Sequence, residues 1–133
     1  MIDRYENQMS ADSAITPTTV LVVEDDLAAA RSLRFLLEHY GYAVSMAACV
    51  RQAIKLLDEK PQIILLDLTL PDGDGTTVME TLKARKSNAR VFVVTGVTEH
   101  DRLRKVQQLC PQLLLHKPLN FLNLLDQLRH PAA

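Results

Sequence analysis

The stretch PQIILLDLTLPDGDG, residues 61–75, holds an unbroken apolar run, Ile63-Ile64-Leu65-Leu66, that stops on Asp67 and gives way to turn residues. Four apolar residues in a row, without alternation, suit a strand covered on both faces, as parallel strands between helices are. Three further runs have the same character: Val20–Val23, Val91–Val94 and Leu113–Leu115. A fifth segment, Tyr42–Ala47, is more mixed in polarity and suits an edge strand.

Between these runs the apolar residues take a helical period. Leu33, Leu36, Leu37 and Tyr40 fall at i, i+3, i+4, i+7, with Gly41 as a stop. Val50, Ala53, Ile54 and Leu57 repeat the spacing before Pro61, as do Phe121, Leu124, Leu125 and Leu128 near the end. Shorter stripes are marked by Val78, Met79 and Leu82, and by Leu103, Val106 and Cys110. The order βαβαβαβαβα with short connections predicts an α/β domain, a doubly wound five-stranded parallel sheet with helices on both faces. The site of such a sheet lies outside the carboxyl ends of its strands.

Length and composition agree with one ordinary domain. The chain has 133 residues, 47% hydrophobic and 23% charged, and a domain takes about 150 residues. Fifteen Lys and Arg against sixteen Asp and Glu leave a net charge of −1, which gives no general attraction to nucleic acid or an anionic membrane. No direct nucleic-acid binding is expected. Residues 1–17 are polar, without the basic start and apolar core of a signal peptide, and no run approaches the roughly 18 apolar residues of a membrane span. A cytoplasmic protein with a flexible tail at 1–17 is expected. Cys49 and Cys110 lack metal or redox spacing and are expected as buried thiols. His39, His100, His116 and His130 are scattered, without ligand spacing.

The residues that close the strands carry the chemistry. Glu24-Asp25-Asp26 follows the first run, Asp67 the third, Thr95 the fourth, and Lys117-Pro118 the fifth. Singly, each has a structural explanation, and Asp26 is read as the cap of the helix that follows it. Jointly, they fall on one edge of the sheet. If the first and third strands are neighbours, Glu24, Asp25 and Asp67 converge, and like charges so close call for a hard divalent cation such as Mg²⁺. Lys117 adds a positive charge for an incoming phosphoryl group and Thr95 a hydroxyl. The chemistry this suggests is phosphoryl transfer to Asp67 as nucleophile.

At these positions the sequence resembles a family. VLVVEDD at 20–26, IILLDLTLPDGDG at 63–75, VVTG at 93–96 and HKPL at 116–119 resemble the signature stretches of the receiver domain of two-component response regulators, over about residues 18–130. The resemblance implies a flavodoxin-like (βα)5 fold with strand order 2-1-3-4-5, a receiver domain at 18–130 and a short tail at 131–133. It implies that Asp67 accepts a phosphoryl group from a histidine kinase or histidine phosphotransfer protein, so that the domain is a regulatory phosphoacceptor rather than an enzyme acting on others. Asp25 and Asp67 would ligate Mg²⁺, Glu24 would assist, and the Thr69 backbone carbonyl would complete the set. Lys117 would pair with phosphoryl oxygens, its bond to Pro118 cis, and Thr95 would be the switch residue. Thr69 and Val97 match the positions that modulate phosphoryl lifetime; Val97 offers no hydrogen bond to an attacking water, so slow self-hydrolysis is expected.

Departures from the family pattern concern signalling. Leu114 stands at the switch position, three residues before Lys117, where receivers usually carry Tyr or Phe. Cys110-Pro111 replaces a common Gly-Ala pair, and Leu119 a common Phe. The face formed by helix 4, strand 5 and helix 5, expected to meet a downstream protein or a second copy, is thus atypical, and a switch that is weaker or uses different contacts is expected. Leu122 is expected to be exposed and available to a partner.

Two other functions compete. A receiver fold used only for phosphorylation-independent binding or dimerisation typically loses the acceptor, an acidic residue or the lysine, and this chain keeps them. Asp72-Gly73-Asp74-Gly75-Thr76 spells the Asp-x-Asp-Gly-Thr motif of haloacid-dehalogenase-type phosphatases. That motif must begin at a strand end, whereas here Leu68–Pro71 intervene after the apolar run, and the residues suit a turn. The same stretch makes a poor calcium loop, its twelfth position being Lys83.

Overall fold

In a computed structural model, residues 16–96 and 100–129 are described, and their elements follow the expected alternation. Strand β1 (Thr19–Val23) leads to helix α1 (Leu27–His39), β2 (Ala43–Ala47) to α2 (Val50–Leu56), and β3 (Ile63–Leu66) to α3 (Thr76–Ala84). Strand β4 (Arg90–Thr95) then leads to α4 (His100–Gln108), and β5 (Leu113–His116) to α5 (Phe121–Arg129). Thr69–Leu70 and Gly73–Asp74 form a small antiparallel ribbon between β3 and α3. The sheet order is β2-β1-β3-β4-β5, all parallel, so the expected order 2-1-3-4-5 holds. The expected tails at 1–17 and 131–133 fall outside the described residues except for Thr16 and Pro17, as does Val97.

Period-two alternation divides the strands between two cores. Leu21, Val23, Ile64, Leu66, Val91 and Val93 face α2, α3 and α4, where Ala53, Val78, Met79 and Val106 meet them. Val20, Val22, Ile63, Leu65 and Phe92 face the other way, against Ala30 and Leu37 of α1 and Leu124 and Leu128 of α5. Helices on both faces explain why the inner strands read as continuous apolar runs.

Local signals act where they stand. The Asp26 carboxylate accepts from the Ala29 N–H at 3.2 Å and caps α1, as expected. Gly41, at φ +93°, follows the end of α1 in the left-handed region that glycine enters without strain.

Three expectations are corrected. Leu113–Leu115 is half-buried, because β5 is the second edge of the sheet and its run is not covered like the inner ones. Tyr40 follows the end of α1 and is partly exposed rather than buried, its ring against Phe121 and beneath the Arg129 guanidinium. Neither cysteine is buried. Cys49 is half-exposed at the N-cap of α2, its Sγ accepting from the Gln52 N–H, and Cys110 is exposed just past α4 at φ +55°.

Candidate functional site

Backbone pairing across the carboxyl edge of the sheet delivers the acidic residues to one point. The Glu24 N–H donates to the Ala47 carbonyl at 2.9 Å and the Asp67 N–H to the Val23 carbonyl at 3.0 Å, so each side chain leaves just beyond its strand. Both are 7% exposed, while Asp25 faces solvent. One carboxylate oxygen from each of Glu24, Asp25 and Asp67 lies within 4.8 Å of the others. The expected convergence is therefore present.

Lys117 closes the cluster. Its N–H donates to the Thr95 carbonyl at 2.9 Å, fixing the end of β5 beside the end of β4. Its Nζ donates to Glu24 Oε1 at 2.8 Å and Asp67 Oδ2 at 2.9 Å. The Lys117–Pro118 bond is cis. Thr95 is fully buried at the last position of β4. The remaining Asp67 oxygen, Oδ1, accepts from the Thr69 N–H at 3.1 Å, so both oxygens of this carboxylate are held.

The electrostatics follow from burial. Burial raises the Glu24 carboxyl above its ordinary value and the Asp67 charge adds to that, against the Lys117 ammonium and the Asp26 N–H. The Lys117 ammonium is held above its ordinary value; burial opposes this, but the hydrogen bonds and charges of Glu24 and Asp67 outweigh it. Three carboxylates against one ammonium leave two negative charges in a cluster of oxygen donors. That donor set and charge suit a hard divalent cation.

Other candidate residues are placed as follows. Thr69 is exposed on the first strand of the ribbon, two residues past Asp67. Leu114 is half-buried on β5, paired with Val93 and packed toward the α2, α3 and α4 core. The Asp-x-Asp-Gly-Thr stretch runs from a turn at Asp72 through the second strand of the ribbon to the start of α3, and does not begin at the end of a strand of the main sheet. Asp72 is held below its ordinary value by the Arg51 and Val50 N–H groups, which donate to it at 3.0 and 2.7 Å across the start of α2. Leu122 is 70% exposed, as expected. A cavity of about 360 Å³ opens beside Asp67, between Ser32, Leu33 and Leu36 of α1 and Pro118, Leu119 and Phe121.

Two features escape the sequence reading. Phe35 is 73% exposed on α1 with Leu27 two turns before it, a pair that falls outside the buried stripe. Arg102 reaches from α4 to the Leu68 carbonyl and the Asp74 carboxylate. Arg102 sits in a run of charged residues in α4, and nothing in that run marks it out. Among the described residues no helix is long and apolar enough to cross a membrane.

Comparison with known proteins agrees with this geometry. The chain is 34% identical over 94 residues to the acid tolerance regulatory protein ActR of Rhizobium meliloti (strain 1021), covering 68% of this chain and 48% of that protein. It thus spans about half the length of that relative. It is 27% identical over 111 residues to sporulation initiation phosphotransferase F of Bacillus subtilis (strain 168), covering 83% of this chain and 86% of that protein. Among solved structures, a response regulator receiver domain protein (CheY-like) from Methanospirillum hungatei JF-1 superposes with a TM-score of 0.80 at 26% identity, covering 86% of this chain and 92% of that one. A response regulator protein from Burkholderia pseudomallei, solved with a phosphorylated aspartic acid, calcium ion and citrate, superposes at 0.74 with 29% identity over 82% of this chain and 65% of that one. The response regulator receiver domain profile matches residues 20–129. With strand order and profile in agreement, the chain belongs to the response regulator receiver domain family of two-component systems.

Proposed function

We propose that Asp67 is the phosphoacceptor, taking a phosphoryl group from the phosphohistidine of a histidine kinase or histidine phosphotransfer protein. The observation that carries this reading is the hold on its carboxylate, Oδ2 by Lys117 Nζ at 2.9 Å and Oδ1 by the Thr69 N–H at 3.1 Å, beside two further carboxylates. An Asp67 oxygen forms the new P–O bond as the donor's P–N bond breaks, and the imidazole leaves with that electron pair. Lys117 turns from the two carboxylates toward the phosphoryl oxygens, and Thr95 offers its hydroxyl to another of them. Receiver domains generally bind Mg²⁺ at an acidic cluster, and here Glu24, Asp25, Asp67 and the Thr69 backbone carbonyl would hold it. Bound there, it neutralises charge on the transferred group.

The domain is thus a regulatory phosphoacceptor that assists its own phosphorylation and dephosphorylation, with Thr69 and Val97 modulating the latter. The downstream contact is assigned to the face of α4, β5 and α5, where Leu114 replaces the usual aromatic, and the place of action to the cytoplasm. The solved relative from Burkholderia pseudomallei carries a phosphorylated aspartic acid, which supports the acceptor chemistry. Incubation with acetyl phosphate and Mg²⁺ should add about 80 Da, the mass of one phosphoryl group, to the wild type and not to Asp67→Asn. No added mass in the wild type would leave phosphorylation-independent binding as the function.

A further inference from the structure

The Leu68–Thr69 peptide unit stands between Asp67 and α4. Its N–H, on Thr69, donates to Asp67 Oδ1 at 3.1 Å. Its carbonyl oxygen, on Leu68, accepts from the Gly75 N–H at 2.8 Å and from Arg102 Nη2 at 3.3 Å. The same Nη2 lies 3.1 Å from Asp74 Oδ2, and Asp74 Oδ1 accepts from the Thr76 N–H at 2.8 Å. One guanidinium therefore joins α4, the start of α3 and the peptide that touches the acceptor.

Peptide planarity gives this chain of contacts a consequence. Fixing the carbonyl oxygen fixes the direction of the N–H on the opposite side of the plane. A cation on the carbonyl also polarises the unit, strengthening its N–H as a donor, and linked hydrogen bonds reinforce one another by about 10–30% each. An exposed ion pair by itself is worth little, so the contact with the peptide, rather than the one with Asp74, is the informative one.

We propose that Arg102 is a positioning residue for the phosphoryl-accepting carboxylate, acting through the Leu68–Thr69 peptide, with Asp74 holding the guanidinium in place. This rests on the reading of Asp67 as acceptor. It also makes α4 and the acceptor loop one mechanical unit, so a partner that displaces α4 alters the hold on Asp67.

Arg102→Ala, Arg102→Lys and Lys105→Ala are compared. Lys105 pairs with Glu80 at 3.8 Å, also across α3 and α4, and controls for loosening of α4 alone. Two quantities are read: the Thr69 amide resonance in the unphosphorylated protein, and the initial rate of phosphorylation by acetyl phosphate with Mg²⁺. Arg102→Ala should move the Thr69 resonance and slow phosphorylation about fivefold, the worth of one hydrogen bond. Arg102→Lys, which keeps a cation for one of the two contacts, should recover part of the rate, and Lys105→Ala should change neither quantity. An unmoved Thr69 resonance with a rate within about twofold of wild type in Arg102→Ala would overturn the proposal, as would equal slowing in Lys105→Ala. If Arg102→Ala does not fold, Arg102→Lys and Asp74→Asn decide, both expected to move the Thr69 resonance. If the wild type gains no phosphoryl group, the acceptor reading fails, while the Thr69 resonance still tests the contact.

Discussion

Replacing Gly75 by alanine should damage both stability and phosphoryl transfer, for a reason of space alone. Its backbone is helical, φ −59° and ψ −20°, so alanine meets no torsional penalty there. A Cβ at this position, however, would stand 2.3 Å from the Asp67 carbonyl oxygen and 3.0 Å from Leu68 Cα. That is about 1 Å inside normal contact, and the opposing atoms are backbone, which cannot swing aside. Overpacking of this kind costs about 1–3 kcal/mol, and the stiffer unfolded chain returns about 0.4–1 kcal/mol, so a net loss centred on about 1.3 kcal/mol is expected.

Two other glycines calibrate that figure. Gly41 has open space but φ +93°, so alanine is strained by about 1–2 kcal/mol without a clash, a net loss of about 0.8 kcal/mol after the same return from the unfolded chain. At Gly96 no described heavy atom lies within 4 Å and the backbone is not left-handed, so Gly96→Ala should stay within about 0.5 kcal/mol of wild type. Urea titrations with linear extrapolation should therefore rank the losses Gly75 > Gly41 > Gly96. Relieving the Gly75 clash moves the Leu68 carbonyl and with it the Thr69 N–H on Asp67. A displacement near 1 Å can cost about a hundredfold in rate, and at least tenfold slower phosphorylation by acetyl phosphate is expected. A Gly75→Ala protein within about 0.5 kcal/mol of wild type that phosphorylates normally would refute the reasoning.

Two further outcomes concern the charge cluster. Mg²⁺ should raise the urea midpoint, by about 2.7 kcal/mol in stability at a hundred times its dissociation constant, and chelation should reverse the gain; a midpoint that rises equally in Asp25→Asn and Asp67→Asn would remove those residues from the site. In chelator, Glu24 is raised by burial above its ordinary 4.5, so the folded state binds this proton more tightly than the unfolded state does. The charged form therefore costs stability, a cost complete above the folded value and absent below 4.5. Between neutrality and 4.5 the wild type should gain stability relative to Glu24→Gln as pH falls, and parallel curves over that window would contradict this assignment.

Much of the fold and of the site was legible because the signals are local. Ile63–Leu66 reads as an inner strand because both its faces are covered, and Asp67, placed at its end, is carried to the sheet edge by strand pairing alone. Glu24 and Lys117 follow for the same reason, each standing just beyond its own strand. Asp26 reads as a cap because capping needs only the next three residues.

What stayed hidden depends on segments distant in sequence. Asp72 caps α2 from 22 and 21 positions away, at Val50 and Arg51. Leu113–Leu115 looks like an inner strand, but its exposure was decided by its place at the edge of the finished sheet. Arg102 is one of several charges in α4, and its contact with the Leu68 carbonyl spans 34 positions. The amino-acid sequence by itself determined the strand and helix order and which carboxylates stand at the strand ends, because periodicity and strand termination act over a few residues. Only the tertiary structure decided that Lys117 takes the Asp67 oxygen not held by the neighbouring Thr69 N–H, and that an arginine lies behind the Thr69 peptide. Those contacts, at 2.9 and 3.3 Å, exist only once packing has brought segments distant in sequence within hydrogen-bonding reach.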